Sequence, residues 1–348
     1  MVSELVSFIK KNNFLIFLIF YTPVLVLAET IIDDYRRYDV TKTKFILEKS
    51  AKDLSYPWAL SFIDKTNVVI TEKDGGLYKV DVLSGKKQKI KHNIPHISYD
   101  GSGQGGLLDV YFNPSDDYIY FTYSHKSSKL TRSKQLSKKS STAIARGRLI
   151  ENEIKDFEIL LIAKPEFLEN RHYGSRIAIK GDDLFVSFGE RGQGMISQDP
   201  SKHPGSIIRI KTDGAIPQDN PHFIEKKDWL PEIYAIGVRN PQGIAISPHD
   251  DEIYFSSHGP RGGDHIGQVE FGSNYGWKDI AWGGREYYGL GIGDTPFKDK
   301  YKKPLISWVP SMGISSIQFY EGKAFPEWQG DLLVSSLNGE SLIRLDVE

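Results

Sequence analysis

Three short loops of this chain carry side chains that could act together on a substrate. Gln104 stands in Gly103-Gln104-Gly105-Gly106, His172 in Arg171-His172-Tyr173-Gly174, and Arg239-Asn240 directly before Pro241. A histidine titrates near neutrality and can serve as a general base; without a partner group it is as well read as a polar loop side chain. Arg239 offers a permanent charge and a planar fork of donors for anionic oxygens, or one half of a structural ion pair. A fourth loop, HGPRGGD at 258–264, is dense in glycine and charge. Its backbone carbonyls suit a hard cation such as calcium, whereas Arg261 and Asp264 could lock the loop as an ion pair. His258 and His265 could be metal ligands or simply exposed. No Gly-Lys-Ser/Thr follows this loop, and no HExxH, GxSxG or EF-hand pattern occurs, so those chemistries have no support.

The elements that must position these loops are repeated hairpins. An apolar strand, a short polar or acidic turn and a strand rich in β-branched and aromatic residues recur five times: 59–72, 107–123, 175–190, 242–259 and, with a longer connection, 315–337. Period-2 alternation and turn chemistry both predict strands. A third strand pattern follows most copies: LYKVDV, TAIARGRLI, SIIRIKT and SLIRLDV. The spacing, a little above the ~40–50 residues of common propeller repeats, predicts four-stranded blades stacked around an axis rather than a β-sandwich. Corresponding loops of a propeller converge on one end of the axial channel, so Gln104, His172 and Arg239 are expected to share a site.

Composition narrows the alternatives. The 348 residues carry 44 basic against 45 acidic side chains, a balance that argues against a nucleic-acid partner. There is no cysteine, hence no disulfide, thiolate nucleophile or zinc-thiolate site. Lys10 and Lys11 precede an apolar run from Phe14 to Leu27 that ends at Ala28. The run is shorter than the ~20 residues of a spanning helix and predicts an export signal over 1–28. A single periplasmic or secreted β domain over 29–348 follows, with membrane attachment only if that segment stays uncleaved.

With these residues in view, the chain resembles the soluble quinoprotein glucose/sorbosone dehydrogenases, in particular the aldose sugar dehydrogenases. The resemblance runs from about Tyr56 to the end. It rests on YPWALSF with ITEKDGGLY, GQGGLLDVYFNP, HYGSR with LFVSFGERG, SIIRIKTDGAIPQDNP, PEIYAIGVRNPQG, HGPRGGD and NYGW, in that order. It implies an all-β, six-bladed β-propeller that binds pyrroloquinoline quinone (PQQ) beside calcium. Such a protein oxidises aldose sugars at C1 to lactones and hands electrons to an external acceptor. By motif, His172 falls on the base and Arg239 on the residue that stabilises charge on the quinone. Gln104 and Asn240 fall on cofactor-contacting positions. Tyr287, with Tyr288 or Glu286 as one-residue alternatives, and Ser311 are implied as further pocket residues. Gly259 and Pro260 would hold the cofactor calcium through their carbonyls, and Tyr275 belongs to a second calcium position.

Two departures accompany the resemblance. Some relatives place a glutamate of that second calcium position where this chain has His265, and imidazole is a poor calcium ligand. Relatives also continue past the RLDV strand into a segment with cofactor-contacting arginines, and a lysine of some relatives is Asn338 here. The C-terminal blade is therefore expected to be incomplete, and a non-catalytic propeller that binds sugar or a protein partner is the alternative reading. A calcium-dependent lactonase on a similar propeller would need several acidic and Asn side chains on the axial metal, which the sequence does not offer.

Overall fold

The computed structural model describes residues 49–127, 129, 138–293 and 296–347; the 1–28 segment lies outside them. Each of the five sequence repeats forms the first hairpin of a sheet. The strands are β1 (Pro57–Phe62), β2 (Asn67–Glu72), β3 (Leu77–Asp81) and β4 (Lys87–Lys89), then β5 (Leu107–Asn113), β6 (Tyr118–Lys126), β7 (Ser140–Ile150) and β8 (Glu153–Ile162). They continue with β9 (Gly174–Lys180), β10 (Asp183–Phe188), β11 (Ser206–Lys211) and β12 (Ile233–Ile236), then β13 (Pro241–Ile246), β14 (Ile253–Ser257), β15 (Asp264–Gln268) and β16 (Ile306–Trp308). The last sheet holds β17 (Ile314–Phe319), β18 (Leu332–Ser336) and β19 (Ser341–Leu345). All pairs are antiparallel meanders, giving four four-stranded sheets and one of three strands among the described residues.

The acidic turns explain why the hairpins close where they do. Asp64 Oδ1 accepts the N–H groups of Thr66 and Asn67, Asp116 Oδ1 that of Tyr118, and Asp250 Oδ1 that of Glu252. These Asx turns satisfy the backbone between two extended runs. In the second and fourth sheets a tyrosine hydroxyl of the returning strand clasps the same aspartate: Tyr120 to Asp116 at 2.6 Å and Tyr254 to Asp250 at 2.8 Å.

The cores lie between consecutive sheets. Val69, Leu77 and Ile90 pack with Leu107 and Phe121 of the next sheet; Tyr120 and Ile144 with Val186 and Ile208; Phe185 and Ile207 with Phe255; Ile266 and Trp308 with Ile314 and Val334. Polar bonds tie the same seams. Thr71 donates to the carbonyl of Leu108 (2.6 Å), Thr122 to that of Ser175 (2.9 Å) and Ser256 to that of Ser315 (2.5 Å). Successive blades facing one another with β1, β5, β9, β13 and β17 innermost make a β-propeller. The described residues form five blades where six are expected, the fifth with three strands. No described core joins the fifth blade to the first. Leu60 and Phe62 on β1, and Leu337 and Leu342 beside β18 and on β19, are each more than half exposed.

Candidate functional site

The turn before β9 puts His172 in the left-handed region, φ 51°, a conformation disfavoured for a residue with a Cβ. Two bonds hold it there. Gln104 Oε1 accepts the His172 N–H at 2.7 Å, and the Arg191 N–H donates to the His172 carbonyl at 3.2 Å. Gly189 lets this turn approach the end of β10: a Cβ at 189 would stand 2.1 Å from the His172 carbonyl oxygen and 2.8 Å from Asn240 Oδ1. Gln104 thus reaches the site through the backbone of His172, which ties the loop before β5 to the loop before β9.

The His172 side chain is buried, and its Nδ1 bonds Glu190 Oε1. Glu190 stands on the turn leaving β10; its other oxygen accepts the Gly194 N–H, and its own N–H donates to the Arg239 carbonyl at 2.8 Å. Burial pushes the imidazole pKa down; the Glu190 bond opposes this and the charge of Arg239 adds to it, with a net shift below the ordinary histidine value. Burial pushes the Glu190 carboxyl up, but the His172 bond and charge, the Gly194 N–H and the Arg239 charge together outweigh it and the net shift is down. The pair is therefore carboxylate and neutral imidazole at neutral pH. Nδ1 carries the shared proton and Nε2 a free lone pair, the arrangement of a general base with its orienting acid.

Arg239 lies at the turn before β13, buried, with its guanidinium 5.3 Å from the Trp277 ring. Nη1 donates to the carbonyls of His258 (3.2 Å) and Gly259 (3.1 Å). Asn240 Oδ1 accepts the Gly174 N–H (3.2 Å), and the Asn240 carbonyl accepts the His258 N–H (3.1 Å). Gln104, His172, Arg239 and Asn240 are accordingly linked at one end of the blades, as the loop positions predict. Glu190 is the member that sequence reasoning missed. Its signal was available: one acidic residue closes the third hairpin, opposite the histidine that opens it.

The other expected residues separate into two groups. Ser311 sits on the Gly-rich loop, where its hydroxyl accepts the Asp264 N–H (3.3 Å) and its N–H donates to the Arg261 carbonyl (3.0 Å). Gly259 and Pro260 are buried, and Asp264 Oδ1 accepts the Gly259 N–H (2.7 Å). Tyr275 is buried with its hydroxyl committed, donating to the Gln268 carbonyl and accepting the Glu270 N–H (3.1 Å). Tyr287 and Tyr288 are exposed on the turn bridged by Arg285 and Gly291, and Glu286 pairs with Lys278 (2.7 Å). The Arg261–Asp264 ion pair is not formed. Asp264 is fully buried and its oxygens serve the N–H groups of Gly259 and Ile314 (2.8 Å), while Arg261 is exposed. Nor are His258 and His265 simply exposed: His265 is buried on β15, within a stretch the sequence reads as loop.

The chemistry of the donors can be set against the implied groups. Arg239, Asn240 and the neutral His172 are buried polar groups gathered at one place, which suits an anionic, multiply oxygenated ligand. No group of three or more His, Cys, Asp or Glu side chains gathers among the described residues. A cation here would rest on the Gly259 and Pro260 carbonyls, which are ligands of calcium's kind. Arg239 Nη1 already holds the first of these.

The sequence profile described as Glucose / Sorbosone dehydrogenase matches residues 54–348. The aldose sugar dehydrogenase YliI of Escherichia coli (strain K12) is 32% identical over 303 residues, 84% of this chain and 78% of that protein. The crystal structure of the soluble aldose sugar dehydrogenase from Escherichia coli in its apo-form matches with a TM-score of 0.78 at 31% identity, over 86% of each chain. The PQQ-bound aldose sugar dehydrogenase of Streptomyces coelicolor matches with a TM-score of 0.69 at 23% identity, over 87% of this chain and 81% of that one; that likeness speaks for the fold alone. The hairpin repeats, the propeller they build and the profile match lead to one conclusion: this chain belongs to the glucose/sorbosone dehydrogenase family of oxidoreductases.

Proposed function

We propose that the protein oxidises aldose sugars at C1 to lactones, with PQQ as cofactor and calcium beside it. The observation that carries this reading is the buried His172–Glu190 pair next to the Arg239 guanidinium. PQQ, when bound, supplies the two-electron acceptor for the C1 hydride. His172 Nε2 takes the C1 hydroxyl proton while Glu190 holds the imidazole in the required tautomer. Arg239 keeps a fixed positive charge where negative charge develops, which stabilises a transition state most in a water-poor site. Gln104 sets the His172 backbone, and Asn240 fixes the start of β9 against β13. We assign Ser311 and Tyr287 to the outer part of the same site, as the resemblance implies.

Calcium would sit on the Gly259 and Pro260 carbonyls, and Arg239 Nη1 would leave Gly259 to make room for it. The buried Tyr275 hydroxyl already donates to Gln268 and accepts from Glu270, and His265 offers nitrogen where calcium prefers oxygen, so we do not include that second site. We also retain a six-bladed ring, in which a further sheet covers the apolar flank between β1 and β19. An exported, periplasmic or secreted protein and an external electron acceptor complete the reading.

Reconstitution tests it. Purified protein with PQQ and calcium should reduce an artificial dye when an aldose is added, and calorimetry should register the cofactor. Absence of PQQ binding at high protein concentration would instead favour a propeller that binds sugar or a protein partner without turnover.

A further inference from the structure

Arg239 also lines a small cavity with His258, Gly259, His265, Tyr275 and Trp277, with room for the centre of a water-sized sphere of only about 10 Å³. Three of these side chains bring a polar atom that has no hydrogen-bond partner: Arg239 Nε, His265 Nε2 and Trp277 Nε1. All three residues are more than nine-tenths buried, at 6%, 6% and 8% exposure. A buried polar group left without a partner keeps its full desolvation penalty. Three around one cavity call for a ligand rather than for strain.

The chemistry of the three atoms selects that ligand. His265 Nδ1 lies 2.9 Å from the Gly263 carbonyl oxygen, which can only accept, so Nδ1 carries the hydrogen. Burial lowers the pKa of this imidazole, which keeps it neutral. Its Nε2 is therefore a bare acceptor, whereas Arg239 Nε–H and Trp277 Nε1–H can only donate. The occupant must donate once, accept twice and fit a space of one solvent molecule. A metal ion would face two N–H groups and a guanidinium charge. An anion would face the His265 lone pair.

We propose that this cavity holds one structural water, which donates to His265 Nε2 and accepts from Arg239 Nε–H and Trp277 Nε1–H. The water fixes the plane of the guanidinium. Before calcium binds, Nη1 holds the His258 and Gly259 carbonyls, Nε holds the water, and Nη2 is left as the end without a protein partner; with calcium on Gly259, Nη1 keeps His258 and the water keeps Nε. His265 is thus a positioning residue for Arg239. The site stands on the orphaned atoms and holds whether or not the protein turns over sugar.

Two measurements decide it. In nitrogen-15-labelled protein, the Trp277 indole N–H, identified by its loss in Trp277→Phe, should show a magnetisation-transfer peak to a long-lived water. That peak should vanish in His265→Phe, whose ring fills the cavity and cannot accept. Oxygen-17 relaxation dispersion should count one long-lived water fewer in that variant. Absence of the peak in the parent protein, or equal counts, overturns the proposal. A high-resolution crystal structure of the parent protein decides the matter even if the variants do not fold. A spherical peak bonded to all three atoms supports the water. A dry cavity, a coordinated ion, or three atoms bonded to one another refutes it.

Discussion

The seam between the second and third blades and the flank between the fifth and first are made from the same kind of sheet, yet they are finished in opposite ways. At the seam, Arg176 of β9 pairs with Asp109 of β5 at 3.0 Å, lies 4.1 Å from the Trp58 ring and donates to the Gln242 carbonyl of β13 at 2.8 Å. Asp109 also accepts the Ile177 N–H, and Gln242 returns a bond to the Gly174 carbonyl. Four inner strands are thereby fixed around the axis, directly below the turns that carry His172 and Arg239. At the flank, leucines and a phenylalanine face outward. A propeller holds its loops in place where neighbouring blades are locked, and the candidate site stands over a seam fixed by this buried polar network.

The strongest test removes the proposed base from the locked region without touching the lock. His172→Ala should lower kcat by about 10²–10⁴-fold, the usual worth of general acid–base catalysis, with an unchanged circular dichroism spectrum. An unchanged kcat would move the base elsewhere. Next comes the lock itself. Ile208, fully buried between the second and third blades, should cost about 2–5 kcal/mol when changed to Ala, read from denaturant midpoints. A cost near zero would mean that the seam contributes little.

Glu190→Gln probes the pair more gently. The carboxylate raises the His172 pKa against burial, so its removal should lower kcat by less than the loss of His172 and shift the acid limb of the pH–rate profile to lower pH. A limb moving upward would contradict the pairing. In the parent enzyme that limb should already lie below the ordinary histidine pKa of about 6.5. Stability should follow the same sign. His125, His172, His258 and His265 all have folded-state pKa values lowered, chiefly by burial. Below about pH 6.5 the unfolded chain binds protons that the native one refuses. Native stability is therefore full above that pH and is lost progressively as the pH falls toward the folded-state values. Denaturant midpoints at pH 7.5 and 5.5 should differ in that direction.

How much of this was legible in the sequence depended on how local the signal was. The five hairpins were readable because alternation and Asx turns are short-range and repeat. The convergence of Gln104, His172 and Arg239 was readable because the same loop recurs in each repeat. β15 was missed because Gly262, Gly263 and Asp264 read as loop; only pairing on both sides, with β14 and β16, makes a strand of it. The Arg261–Asp264 pair failed because Asp264 is spent on backbone N–H groups from two blades, a long-range arrangement with no local mark. The role of Gln104 was legible as a position but not as a contact, since it acts through the backbone of His172.

The smallest expected effect concerns the flank. Phe62 and Leu342 are more than half exposed among the described residues, and exposed apolar side chains normally change stability by less than about 0.5 kcal/mol when made polar. A sixth blade would bury them, and full burial of such a side chain is worth about 1.5–3 kcal/mol. Phe62→Ser and Leu342→Ser should then each cost about 1.5–3 kcal/mol in the native protein. A cost inside 0.5 kcal/mol would leave the ring at five sheets. It would also remove the contrast between a locked seam and a flank awaiting cover, because the flank would then be an ordinary surface.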